Sequence, residues 1–138
     1  MKNFYFLCIA LLVITSGCKK KSGIDAVTET QDFTINTPRN VGSATFTITA
    51  IEDSRCPINA FCTIAGKAVV LLTVKSGLQT KNISLCIGFD CKTAGISDNA
   101  KFKLGDINHT IKLIDVIPNN NLTNANVPKN VKLEITRN

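Results

Sequence analysis

Ala44-Thr45-Phe46-Thr47-Ile48-Thr49-Ala50 is the most regular segment of the chain. Small or apolar residues alternate with threonine. A period of two sets Ala44, Phe46, Ile48 and Ala50 on one face and the three threonines on the other. β-branched side chains suit extended backbone, and apolar-in, polar-out alternation is the signature of an antiparallel strand with one wet face.

Working outward, the same grammar recurs. Lys67 to Lys75 is almost continuously apolar, as expected of a central strand covered on both faces. Asp32 to Thr37 places Phe33 and Ile35 on one face and ends in turn chemistry over Pro38 to Gly42. Lys81 to Cys86 alternates again, with Ile83 and Leu85 directed inward. Ala100–Leu104, Thr110–Ile117 and Asn130–Thr136 complete the series, separated by turn residues at Ser76-Gly77, Gly105-Asp106 and Pro118 to Asn121. His109 falls in one of the turns, between Asn108 and Thr110. About seven short strands with no segment of helical period predict an antiparallel β-sandwich of immunoglobulin-like general form, with a small β-barrel as the alternative. This domain is expected over residues 31–138.

The amino-terminal part reads differently. Lys2 precedes an apolar run from Phe4 to Ile14, too short to cross a bilayer as a helix. Thr15-Ser16-Gly17-Cys18 follows and resembles the lipobox, at which a signal peptidase cuts before a lipidated cysteine. That resemblance implies a signal peptide over residues 1–17, diacylglycerol and palmitate-type acylation at Cys18, and a tether over 18–30. It also implies a Gram-negative envelope lipoprotein. With no Asp after Cys18, the expected site is the outer membrane, facing the periplasm. Several acyl chains at about 0.8 kcal/mol per buried methylene anchor stably.

The net charge of +6 is concentrated at this end. Lys2 and Lys19-Lys20-Lys21 account for four of the positive charges, which leaves about +2 on the folded part. No basic patch for nucleic acid follows from that, and the lysines suit a solvated stalk beside lipid headgroups.

With Cys8 removed with the leader and Cys18 acylated, Cys56, Cys62, Cys86 and Cys91 remain. Four cysteines in an exported chain allow three connectivities, and the preferred one pairs Cys56 with Cys62 and Cys86 with Cys91, each closing a short loop between strands. Five and four intervening residues are wide for a zinc pair and do not match Cys-x-x-Cys, so no metal is expected at these thiols.

Asp53-Ser54-Arg55-Cys56-Pro57, then Cys62 and Ala65-Gly66 leading into an apolar strand, resembles a family of small uncharacterised bacterial exported proteins. Their pattern runs D-S-R-C-P, then C-x-W-A-G, with Ile64 standing here in the Trp position. Leu113–Pro118 and Val131–Thr136 match the family's closing strands. The resemblance implies a fold and brings no activity.

Asp53, Ser54 and Arg55 are the candidate binding residues. The plainer reading makes Asp53 and Ser54 turn formers and Arg55 the partner of Asp53 or another acid. A hydrolase built on Asp53 or Ser54 lacks a Gly-x-Ser-x-Gly elbow, and His109 is the chain's single histidine. No nucleotide, phosphate or metal-loop motif is present, so no catalytic residue and no cofactor is assigned. The expectation is a non-enzymatic, membrane-anchored protein that binds a protein or glycan through disulfide-pinned loops. A protease inhibitor presenting residues 52–66 and 86–99 is a specific alternative.

Overall fold

The computed structural model describes residues 26–123 and 127–138. The leader, Cys18 and the lysines of the tether lie outside the described residues. Eight strands form, β1 (Val27–Thr34), β2 (Arg39–Val41), β3 (Ala44–Asp53), β4 (Lys67–Ser76), β5 (Gln79–Gly88), β6 (Asn99–Leu104), β7 (Ile107–Ile117) and β8 (Asn130–Arg137). They make two antiparallel four-stranded sheets, ordered β1-β8-β7-β6 and β2-β3-β4-β5. The two sheets face each other as a sandwich and do not close into a barrel. Phe33, Ile111, Leu133 and Ile135 from one sheet meet Phe46, Ile48, Leu72 and Leu85 from the other in the sealed core.

The nearly continuous apolar run of β4 has a structural cause. Ala68, Val70, Leu72 and Val74 face the core. Val69 and Leu71 face the other way, against Cys86, Cys91 and Ile96, beneath a single helical turn, α1 (Cys91–Ala94). That turn, ended by Gly95 in the left-handed conformation, is too short to show a helical period in the sequence.

Four local expectations are corrected. Arg39–Val41, read as a turn, is a short edge strand opposite Ala44 to Phe46. The strand carrying Phe33 starts at Val27, and its polar Thr28, Glu29 and Gln31 gave no alternation to read. It ends at Thr34, because Asn36 takes a positive φ of 56° and turns the chain away, so Ile35 does not share the burial of Phe33 and is 37% exposed. His109 is in no turn. The β6–β7 hairpin needs only Gly105-Asp106, so β7 resumes at Ile107 and His109 pairs with Phe102 and Arg137. Its ring is buried, stacked on Phe102 at 5.2 Å and tilted against Phe46 at 6.3 Å.

The sandwich has two unlike ends. At one lie the tight turns at Gly42, Gly77 and Gly105, with Val27 beside Arg137 where the described chain starts and finishes. At the other, about 33 Å away along the ten residues of β3, lie the three long connections, residues 54–66, 89–98 and the described parts of the third, 118–123 and 127–129.

Candidate functional site

Two β-bulges prepare the end that carries the long loops. In β3 Ile48 opposes Leu72 and Ala50 opposes Leu71, which leaves Thr49 unmatched. The Thr49 hydroxyl donates to the Leu71 carbonyl at 3.1 Å. One extra residue reverses the side-chain phase. Ala50 therefore loses the inward position its alternation predicts, Ile51 packs on the core, and Asp53 turns inward. In β7 the unmatched residue is Ile114, between Leu113 and Asp115, and Val116 rather than Asp115 becomes buried.

Asp53 has a side chain only 3% exposed and is held by two cations. Arg55 grips it bidentately, Nε to Oδ1 and Nη2 to Oδ2, both at 2.8 Å. Lys129 Nζ lies 3.0 Å from Oδ2 and donates to the Pro118 carbonyl at 2.7 Å and Asn120 Oδ1 at 2.6 Å. Arg55 also donates to Asp115 Oδ1 at 3.2 Å and to the Val116 carbonyl. Burial alone pushes the Asp53 carboxyl up, but the hydrogen bonds from Arg55 and Lys129 outweigh it and hold the group below the usual carboxylate range. The bond to Asp53 in turn raises Arg55 above its ordinary value despite partial burial.

The network ties loops together through their backbones. Asn120 Nδ2 donates to the carbonyls of Asp53 and Arg55, at 3.2 and 2.9 Å. Ile58 N donates to the Asn120 carbonyl at 2.9 Å, and Leu122 N to Asn59 Oδ1 at 3.0 Å. Ser54 donates through N and Oγ to the Lys67 carbonyl, and Cys56 N donates to Ala65 O. The disulfides are Cys56–Cys62, with Cα atoms 5.9 Å apart, and Cys86–Cys91 at 5.7 Å. The feet of the two disulfide loops touch. Gly66, at φ 72°, brings its backbone so near Ser54 that a Cβ would meet the Ser54 carbonyl oxygen, and a Cβ on Gly88 would sit 2.8 Å from the Gly66 oxygen.

Large apolar side chains stand exposed on this braced base. They are Ile58, Phe61 and Ile64 on the first loop, Phe89 on the second and Leu122 on the third. Phe61 is 109% exposed and Phe89 82%. Ile64 and Phe89 wall a shallow hollow of about 390 Å³ with Cys62, Thr63, Ala65 and Asp90. The two cations of the base, Arg55 and Lys129, are committed to Asp53, while Asp90 and the exposed Lys92 of the second loop put charge beside the apolar side chains.

Of the residues singled out from sequence, Asp53 and Arg55 come together as an ion pair, while Ser54 spends its hydroxyl on the Lys67 carbonyl. His109 sits against Phe46, eight positions along β3 from Ser54 and so about 25 Å away. Among the described residues no group of three or more His, Cys, Asp or Glu is placed to hold a metal ion. Sequence reasoning missed Lys129 and Asn120, which are more than sixty positions from Asp53. It also passed over the exposed apolar residues, whose signal was present. Phe61 and Phe89 lie inside cysteine-bracketed loops with no alternation to bury them.

No family model matches the chain, and no curated protein or solved structure matches it either. Fold and site therefore define the class unaided: an antiparallel β-sandwich with two short-loop disulfides and an apolar, internally braced three-loop end.

Proposed function

We propose that this protein is a lipid-anchored, non-catalytic component of the bacterial envelope that recognises a protein partner through its three-loop end. The observation that carries this is the set of exposed Ile58, Phe61, Ile64, Phe89 and Leu122 on loops fixed by two disulfides and the Asp53 network. Loops already held in place lose little entropy on binding, and aromatic anchors on a rigid frame are the usual source of binding energy. A cluster of five exposed apolar side chains suits a protein better than a glycan, whose recognition needs convergent hydrogen-bonding groups.

The anchor reading is supported by the lipobox-like Thr15 to Cys18 and by two disulfides, which suit an oxidising compartment such as the periplasm. The fold's first strand begins at the end remote from the three loops, so acylation at Cys18 would direct the loops away from the anchoring bilayer. Against catalysis stands the chemistry of the cluster, since Asp53 is neutralised by two cations and Ser54 donates its hydroxyl to the Lys67 carbonyl.

Photo-crosslinking in native outer membranes tests the reading. With benzoyl-phenylalanine in place of Phe61 or Phe89, one discrete protein adduct is expected, absent when the probe replaces Leu78, equally exposed at the opposite end. Adducts that are no more frequent from positions 61 and 89 than from 78 would overturn it. Labelled palmitate entering the native chain but not a Cys18→Ser variant checks the anchor.

A further inference from the structure

Phe61 is presented in a particular way. It follows the turn in which Ala60 N donates to the Pro57 carbonyl, and it immediately precedes Cys62 of the Cys56–Cys62 ring. The loop is closed beneath it by the Ser54–Lys67 and Cys56–Ala65 backbone bonds and is braced sideways through Asn59 to Leu122. Phe61, Cys62 and Thr63 take no part in the backbone hydrogen bonds formed among the described residues. A fully exposed aromatic side chain is thus flanked by backbone donors and acceptors that bond to no backbone group among the described residues, on a segment closed into a disulfide ring. Unpaired backbone N–H and C=O groups beside one protruding side chain are what an endopeptidase cleft receives from its substrates. Holding such a segment rigid is what turns a substrate-like loop into an inhibitor.

We infer that the three-loop end enters the substrate cleft of a serine endopeptidase that cuts after aromatic residues, with Phe61 filling the specificity pocket. This rests on the protein-recognition reading and names the partner's class. Where the chain emerges favours such an occupant. Val27, the start of β1, lies at the end remote from Phe61, so two copies anchored side by side in one membrane would point their loops in the same direction rather than at each other. The hollow between Ile64 and Phe89 offers a neighbouring contact for the cleft rim. The ring also guards the exposed bond. Hydrolysis of the Phe61–Cys62 amide takes up one water and leaves a carboxyl on Phe61 and an amine on Cys62, but both new ends stay joined through the Cys56–Cys62 disulfide and can religate.

The test uses the full mature chain in detergent with chymotrypsin and subtilisin as probes and trypsin as the contrast. Competitive inhibition of a chromogenic peptide assay is expected for the first two. Phe61→Ala should weaken it about 100-fold, the scale of an anchor residue, Phe61→Arg should transfer inhibition to trypsin, and Leu78→Ala should change nothing. Prolonged incubation should give a single nick at Phe61–Cys62 visible only on reducing gels. No inhibition of either probe, or rapid cutting at other bonds, overturns the protease assignment. If the position-61 crosslink persists in that case, protein recognition survives without it, and if the crosslink is missing too, both fall. Phe61-dependent binding to phosphatidylethanolamine–phosphatidylglycerol vesicles in place of inhibition would identify a bilayer as the occupant and overturn both.

Discussion

Asp53 carries a carboxylate into a place that water barely reaches, and its partners decide whether that is tolerable. A buried ion whose partner is removed is left uncompensated, at a cost of about 3–5 kcal/mol. Arg55→Ala removes the bidentate grip and leaves Lys129 alone on the carboxylate. A loss of about 3 kcal/mol is expected, read as a lowered urea midpoint at unchanged slope. Arg55→Lys should recover only part of it, because a point charge cannot reproduce two parallel N–H···O bonds. Asp115→Asn should cost under about 1 kcal/mol, since that carboxylate is partly solvated. Equal costs for Arg55→Ala and Asp115→Asn would show that burial of Asp53 is not what makes the cluster matter. The Asp53–Arg55 half of this cluster was legible because the two residues are near neighbours in sequence. Lys129 and Asn120 were not, because their proximity is created by the packing of one sheet on the other, β3 against the ends of β7 and β8, and by the bulges that turn the strand ends.

At the scale of elements, the two disulfides close rings of similar size, with sequence separations of 6 and 5, so chain entropy contributes about 2 kcal/mol for each. Their surroundings separate them. Cys86 and Cys91 are buried with Val69 in the satellite cluster under α1, whereas Cys62 lies open on the apolar loop. Thiol exchange needs in-line access to sulfur. Mild dithiothreitol should therefore open Cys56–Cys62 first, with Cys86–Cys91 following only when the domain unfolds, as alkylation and peptide mapping of the native protein would record. The reverse order would contradict the placement of α1 over the second bond. Pairing of nearest cysteines was readable because each pair is only six or five positions apart, although only Cys56–Cys62 lies between paired strands, β3 and β4, while Cys86–Cys91 ties β5 to α1. Strand interiors such as Ala44 to Ile48 were readable for the same local reason. The phase was lost where an unmatched residue entered, as at Thr49 and Ile114, and where a strand carried few apolar residues, as in β1 and the start of β7.

For the molecule as a whole, two buried titrating groups set how the fold meets acid, and their signs agree. Burial lowers the pKa of His109, opposed by its contact with the Ile107 carbonyl and helped by the nearby Arg137 charge. The unfolded chain therefore takes up a proton near pH 6.5 that the folded chain refuses until lower pH, so stability falls as pH drops below about 6.5. Asp53 is depressed as well, so its contribution is fully present above about pH 4 and is lost as pH falls through the folded value. Acid should thus weaken the sandwich in two stages, the first beginning at the His109 end and the second at the loop end. Unfolding free energies from urea titrations between neutral and acid pH should decline with a slope of at most ~1.4 kcal/mol per pH unit in the first window. His109→Phe, which keeps an aromatic ring between Phe102 and Phe46, should abolish that first decline and leave the second in place. Asp53→Asn should flatten the second stage while lowering stability throughout, because Arg55 and Lys129 lose their counter-charge. An unchanged slope between neutral pH and about pH 5 in the His109→Phe variant would remove His109 from the account. Separate stages would also show that the loop end can stay locked by Asp53 under mild acid that already strains the opposite end. The apolar loops would then remain presented under mild acid down to the point where Asp53 itself takes a proton.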